Sequence, residues 1–238
     1  MKNNLRLLTA LAVMLTVMAA GACGQTIGKT LKTATTRPPS DFITFDDSEL
    51  TGLEKDFFDD LGDGVMDRYD YYDAFLVASE VTEKKTFASY RAKLESVRQE
   101  TLGALKDFTG GPRKVLAKQL LLQLHDTAFK TYREKATLAT DLLDRGEFNC
   151  LSSAILYALI ADELGIDVQG VAVQGHAFCQ ITASDSGRPE NVDVETTVRY
   201  GFEPGQKELD EMRNVIVSVP KKAYGRRENV PIQLLIAM

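Results

Sequence analysis

The sequence has no tryptophan, only two histidines and three cysteines, and no excess of basic residues. The lack of tryptophan excludes an indole N–H donor from any site in the chain. The formal net charge of −6 gives no electrostatic reason to expect a nucleic-acid partner, because phosphate binding requires a basic face. A site built on histidine and cysteine is therefore restricted to a few identifiable positions.

The first 22 residues have the pattern of an export signal. A short basic start, Met1–Arg6, is followed by an apolar stretch, Leu7–Ala20, and small residues precede Cys23. We therefore predict a lipoprotein-type signal peptide at residues 1–22, with Cys23 as the lipidated first residue of the mature chain. The alternatives are a soluble periplasmic product and an uncleaved apolar anchor. Lipid anchoring predicts an exported protein on the cell membrane or outer membrane, facing the periplasm or the exterior.

Residues 23–45 are predicted to be a flexible tether, because they are rich in Thr and Lys and have few large apolar residues. Within this segment, Gly24–Thr30 resembles a phosphate-binding loop. It has three residues between its first two glycines where four are required, and it follows a signal sequence instead of a strand. We expect no nucleotide and no cofactor.

Residues 46–145 are predicted to form a helical region packed on the rest of the domain. Apolar residues between Phe87 and Phe108 recur at helical spacing, and Gly110-Gly-Pro112 interrupts the pattern. The acidic segment Asp59–Asp70 resembles a calcium loop, but Leu61 replaces a ligand and the final Glu is a shorter Asp. The segment is interpreted as a helix end with an acidic turn, and no metal is predicted.

Residues 146–238 are predicted to form the core of the fold. Leu151–Ala161 is apolar on nearly every side, which is typical of a helix in the middle of a domain. Short β-prone runs follow and suit an antiparallel sheet, because no helical crossover fits between them. These runs are Val168–Val173, His176–Thr182, Asn191–Glu195 and Val215–Val219, with a short apolar helix expected at the C-terminus. The predicted fold class is α+β, with an N-terminal helical layer and a central helix against an antiparallel sheet.

Three residues suited to thiol chemistry occur in the order Cys150, His176, Asp193. Asn149 is a favoured N-cap, so Cys150 is expected in the first helical turn, where free N–H groups and the helix dipole favour a negative sulfur. Backbone N–H groups there could stabilise an oxyanion, with Asn149 as a neighbour of the site. Asp193 is predicted to orient the imidazole, and Glu195, two residues later, is its rival. The other histidine, His125, lies in a Leu-rich helical stripe and is interpreted as a packing or surface residue.

In an oxidising compartment, a disulfide between Cys150 and Cys179 is the simplest alternative. Strand alternation argues against it, because His176 and Cys179 are three residues apart and point to opposite faces. If His176 faces Cys150, then Cys179 faces away, unless a bulge changes the alternation.

The segments around Cys150, Gly175-His176-Ala-Phe and Val192-Asp193-Val-Glu-Thr-Thr resemble the transglutaminase-like superfamily. The similarity is strongest from Asp144 to Tyr200 and is closest to a bacterial branch often fused to tetratricopeptide repeats. The resemblance implies a papain-like core in which Cys150 is the nucleophile, His176 the general base and acid, and Asp193 the orienting carboxylate. The chain departs from the commonest form because it has no tryptophan for the oxyanion hole.

Together these features predict an envelope-anchored cysteine enzyme that hydrolyses an amide or peptide bond through an acyl-enzyme. The expected partners are a peptide or protein substrate in the cell envelope and the membrane, reached through the N-terminal lipid, with no nucleic acid and no nucleotide. Superfamily members include proteases, amidases, transglutaminases and inactive binders, so the reaction stays open. The alternative is a binding or assembly lipoprotein that keeps the fold without turnover.

Overall fold

A computed structural model describes Leu50 and residues 52–61, 66–185, 187–204 and 226–238. The predicted signal peptide, the lipidation site Cys23, the tether and the strand Val215–Val219 lie outside these residues. So do residues 62–65 of the calcium-like segment. At the end of the helix before that gap, Asp60 accepts hydrogen bonds from Arg68 Nε at 3.0 Å and from Tyr69 N at 3.1 Å.

The described residues form seven α-helices and two sheets. The helices are α1 (Gly52–Leu61), α2 (Tyr71–Ala78), α3 (Lys84–Ala104), α4 (Arg113–Thr127), α5 (Ala139–Arg145), α6 (Cys150–Glu163) and α7 (Ile232–Ile236). The strands are β1 (Thr131–Tyr132), β2 (Glu147–Phe148), β3 (Asp167–Val173), β4 (His176–Ala183), β5 (Glu190–Val194) and β6 (Glu228–Val230). This composition confirms the predicted α+β class.

Local sequence explains where several helices begin and end. Asp70 and Asp73 form a capping box at the start of α2, so each side chain satisfies a backbone N–H of the other residue. Gly146 ends α5 with a φ of 65°, a left-handed conformation that glycine adopts at no steric cost. Helix α3 ends at Ala104 and a short 3₁₀ turn contains Phe108, so the predicted helical stripe is interrupted earlier than Gly110.

The larger sheet has the strand order β5-β4-β3-β6, with every neighbouring pair antiparallel. Three of the predicted strands thus form its main part. Val173 pairs with His176 across a tight turn, and Gly175 in that turn has a φ of 77°. The sheet orientation predicted from the short connections is confirmed. The small parallel pair β1–β2 was not predicted.

Helix α6 is the centre of the fold. It packs against β3 and β4 on one side and against α4 and α7 on others. Its residues from Ser152 to Ala161 are all buried, as the apolar sequence predicted. Tyr157 is fully buried and donates its hydroxyl hydrogen to Ala117 O at 3.1 Å, so its one polar group is satisfied. Within the described ranges, no helix combines the length and apolarity that a membrane span requires.

Candidate active site

Cys150 is the first residue of α6. Asn149 has extended backbone geometry, and its Oδ1 accepts hydrogen bonds from Leu151 N at 3.0 Å and Ser152 N at 3.1 Å. Ser152 Oγ accepts from Asn149 N at 3.0 Å, which completes a capping box. The half-buried Cys150 therefore lies at a helix N-terminus, where the helix dipole favours a thiolate.

The side chain of Asn149 is held by this cap and by a backbone carbonyl. Its Oδ1 holds the helix N-terminus, and its Nδ2 donates to Glu134 O at 3.0 Å. Asn149 is therefore a neighbour of the site, with its Oδ1 engaged by the cap and one N–H of its amide engaged by Glu134 O. Among the hydrogen bonds of the described residues, none uses the N–H of Cys150. An N–H at this position can donate to the oxyanion that forms on a carbonyl oxygen when the sulfur attacks the carbonyl carbon.

His176 is the first residue of β4, and its side chain is buried. Its Nε2 lies 2.6 Å from Glu195 Oε2, and the ring is close enough to the side chain of Cys150 to interact with it electrostatically. Because Nε2 is engaged by the carboxylate, Nδ1 is the nitrogen available to the sulfur. The structure thus brings together the predicted nucleophile and the predicted base.

The carboxylate beside His176 is Glu195, and the prediction that Asp193 orients the imidazole is wrong in this structure. The strand register places Asp193 opposite Gln180, four residues along β4 from His176. Four residues of strand span about 13 Å, which is beyond the reach of an aspartate. Asp193 instead accepts from Gln180 Nε2 at 2.8 Å and pairs with Arg227 at 2.7 Å.

The electrostatics of the site favour a charged imidazole. Burial alone lowers the pKa of His176, but the charges of Glu195 and Cys150 and the hydrogen bond between Glu195 and the ring outweigh it and raise the pKa to about 10. At neutral pH the ring is therefore an imidazolium between a carboxylate and a sulfur. An imidazolium beside a cysteine is the arrangement that generates a nucleophilic thiolate.

This raised pKa predicts a pH dependence of folding stability. The folded-state pKa of His176, about 10, lies above its ordinary value of 6.5, so the stabilisation is fully present below about pH 6.5 and is lost as the pH rises towards 10. We expect the difference in unfolding free energy between wild type and His176→Gln to be largest near pH 6 and to shrink towards pH 10. Denaturant titrations at several pH values measure it, and a difference independent of pH would contradict the assignment.

The loop after Glu195 supports the carboxylate. Glu195 Oε1 accepts from Thr197 N at 3.2 Å and from Thr197 Oγ1 at 2.6 Å, and Glu195 N donates to Gly201 O at 2.8 Å. Glu195 and Thr197 are buried. Neither Thr197 nor Gly201 was predicted as a site residue, although Thr197 is the last residue of the Val192–Thr197 segment that carries the resemblance.

Tyr132 is a further neighbour of the site that was not predicted from the sequence. Strands β1 and β2 pair Tyr132 with Phe148, and the two rings meet edge-on with centroids 5.9 Å apart. Phe148 is two residues before Cys150 in the chain, so this pairing brings Tyr132 near the site. Burial raises the pKa of Tyr132, and the negative charges of Cys150, Glu134 and Glu195 raise it further. The phenol therefore stays protonated and can donate a hydrogen bond near the site.

The second cysteine of the fold lies in β4, three residues after His176, and packs against α6. Cys179 is fully buried and its Sγ donates to Ala154 O of α6 at 3.3 Å. Burial strongly raises the pKa of this thiol, so it stays protonated. Cys150 and Cys179 are both free cysteines in this structure.

His125 takes no part in the Cys150–His176 pair. Its ring meets Phe129 and Phe148 edge-on, and its Nε2 lies 3.1 Å from Thr196 O, which only accepts, so Nε2 carries the hydrogen. His125 thus packs against the loop that carries Glu195. Across the described ranges, no three His, Cys, Asp or Glu side chains are grouped as a metal site would require.

Comparison of the chain with protein-family models, with curated proteins and with solved structures found no match.

Proposed function

We propose that the protein is a thiol enzyme that attacks an amide carbonyl, with Cys150 as nucleophile, His176 as base and acid, and Glu195 as the orienting carboxylate. The observation that carries this proposal is the buried imidazole of His176, which bonds to Glu195 at 2.6 Å and contacts the side chain of Cys150 at a helix N-terminus. A buried charged pair such as His176 and Glu195 costs folding free energy unless its members are hydrogen-bonded to each other, and here they are. Function explains its presence better than stability does.

The proposed reaction has two halves. The Cys150 thiolate attacks the amide carbon, and the Cys150 N–H stabilises the resulting oxyanion. The imidazolium of His176 then gives its proton to the departing amine nitrogen as the C–N bond breaks, which leaves a thioester. Neutral His176 next takes a proton from water, the hydroxide attacks the thioester carbon, and the C–S bond breaks to release a carboxylic acid and restore the thiolate.

Hydrolysis is preferred to transfer because water needs no second binding site. The preferred substrate is a peptide or protein amide. With the lipoprotein pattern at residues 1–22 and Cys23, the proposal places this reaction in the cell envelope, on a membrane-anchored protein.

The arrangement of elements supports the proposed papain-like core. A helix with cysteine at its first residue packs against an antiparallel sheet, and the histidine begins the strand β4 of that sheet. These features agree with the resemblance to the transglutaminase-like superfamily. The orienting carboxylate differs from the one that the resemblance implies. The resemblance suggests Asp193, whereas the geometry favours Glu195.

A thiol-reactive amide probe tests this proposal on the purified full-length chain. We expect covalent labelling of the wild type at pH 7, and no labelling of Cys150→Ala. Cys179→Ala is the matched control, because Cys179 is buried and protonated and its loss should leave labelling within about twofold of wild type. Equal labelling of wild type and Cys150→Ala would favour the alternative, a binding or assembly lipoprotein.

A further inference from the structure

Two buried hydroxyl groups connect the helix that carries the nucleophile to the loop that carries the carboxylate. Ser153 Oγ, in the first turn of α6, lies 2.8 Å from Thr196 Oγ1, and both residues are fully buried. Thr196 directly follows Glu195, and Ser153 is three residues after Cys150. The contact therefore lies next to the proposed catalytic groups but includes none of them.

The direction of the hydrogen bonds follows from the number of protons available. Ser153 Oγ donates its hydrogen to Asn149 O at 2.7 Å, so it can only accept from Thr196. Thr196 therefore donates to Ser153, and Ser153 donates to the carbonyl of the residue before Cys150. On the other side of the loop, His125 Nε2 donates to Thr196 O at 3.1 Å.

Packing alone does not require these hydroxyls. Valine matches threonine in shape and alanine approximates serine, and neither brings the desolvation cost of a buried hydroxyl. A hydrogen bond differs from an apolar contact because it has a preferred length and direction. The Ser153–Thr196 bond thus restricts how far α6 can move relative to the loop.

From this geometry we propose that Ser153 and Thr196 are positioning residues that hold the Cys150 sulfur at the working distance from the His176–Glu195 pair. This inference rests on the proposed thiol chemistry. It adds that the Ser153–Thr196 hydrogen bond sets the distance between the Cys150 sulfur and the His176 imidazole. Thr196 is one peptide unit, about 3.8 Å, from Glu195, so a shift of this contact moves the carboxylate and with it the imidazole.

The test uses Thr196→Val and Ser153→Ala in the full-length chain, with Thr101→Val as the matched control. Thr101 is a fully buried threonine in α3 whose hydroxyl bonds to Val97 O at 2.8 Å, so its loss removes a similar bond away from the site. A displacement of about 1 Å costs up to about 100-fold in rate. We expect probe labelling of Cys150 to fall about 10- to 100-fold in both site variants, to stay within about twofold in Thr101→Val, and to be restored in Thr196→Ser.

Ring-proton NMR titration measures the pKa of His176, which a general loss of stability does not change. The chain has only two histidines, so His125→Gln assigns the signals. We expect the pKa of His176 to fall in Thr196→Val, because the imidazolium moves away from its negative partners, and to be unchanged in Thr101→Val.

The outcomes separate this inference from the proposed function. If wild type and His176→Ala label equally, the thiol chemistry itself fails. If wild-type labelling depends on His176 while folded Thr196→Val or Ser153→Ala keeps the wild-type rate and pKa, only the positioning role fails. Failure of both site variants to fold would also overturn it, since the contact would then be purely structural.

Discussion

Glu195→Gln is expected to lower the rate of Cys150 labelling at pH 7 by up to about 10⁴-fold, the loss in kcat found when the carboxylate of a serine-protease triad is made neutral. Glutamine keeps the shape of the side chain but removes the charge that faces His176 Nε2 at 2.6 Å. The pKa of His176 then falls, because burial lowers it and the main opposing charge has gone. Labelling kinetics and the NMR titration of His176 measure both effects.

Asp193→Asn is the matched control for that substitution. It also changes one carboxylate to an amide, only two residues away, but it removes a half-exposed ion pair with Arg227. Such pairs contribute about 0 to 1 kcal/mol, so we expect labelling within about threefold of wild type. A larger loss in Asp193→Asn than in Glu195→Gln would restore the assignment made from the sequence.

Gly201→Ala is expected to damage the same site without changing any polar group. A Cβ on Gly201 would lie 2.0 Å from Glu195 O and 2.9 Å from Glu195 Cβ, so the backbone of the loop would have to move. Overpacking of this kind costs about 1 to 3 kcal/mol of stability. Because the shift reaches Glu195 directly, we expect labelling to fall about 100-fold, the effect of a displacement near 1 Å.

Gly103→Ala is the control for Gly201→Ala. Gly103 lies in α3 with nothing within 4 Å of a new Cβ, and alanine in a helix is more favourable than glycine by about 0.5 to 1 kcal/mol. We expect this variant to be slightly more stable than wild type and to label normally. Normal labelling of a folded Gly201→Ala would show that the loop can shift without moving the carboxylate.

The parts of the site that could be predicted are those set by neighbouring residues. The Asn149 cap and the placement of Cys150 in the first turn of α6 follow from local helix signals. The apolar composition of α6 predicted that the helix is buried. Each of these inferences spans only a few residues or one element.

The choice between Asp193 and Glu195 could not be made in this way. Both residues have the same parity along the chain, so alternation does not separate them, and only the register of β5 against β4 shows which lies near His176. The two-residue strands β1 and β2 were missed for a related reason, since segments so short have no periodicity to detect. Their pairing brings Tyr132 beside Phe148.

By itself, the sequence determined the α+β class, the central helix and the pairing of Cys150 with His176 as candidates, because these depend on local capping, periodicity and the scarcity of both residue types. Tertiary structure alone decided that Glu195 faces the imidazole, that Asp193 pairs with Arg227, and that Ser153, Thr196 and Gly201 surround the site. These contacts join residues from separate elements. Their distances depend on the strand register and on how the loop packs against α6. The sequence pattern gives no information on either.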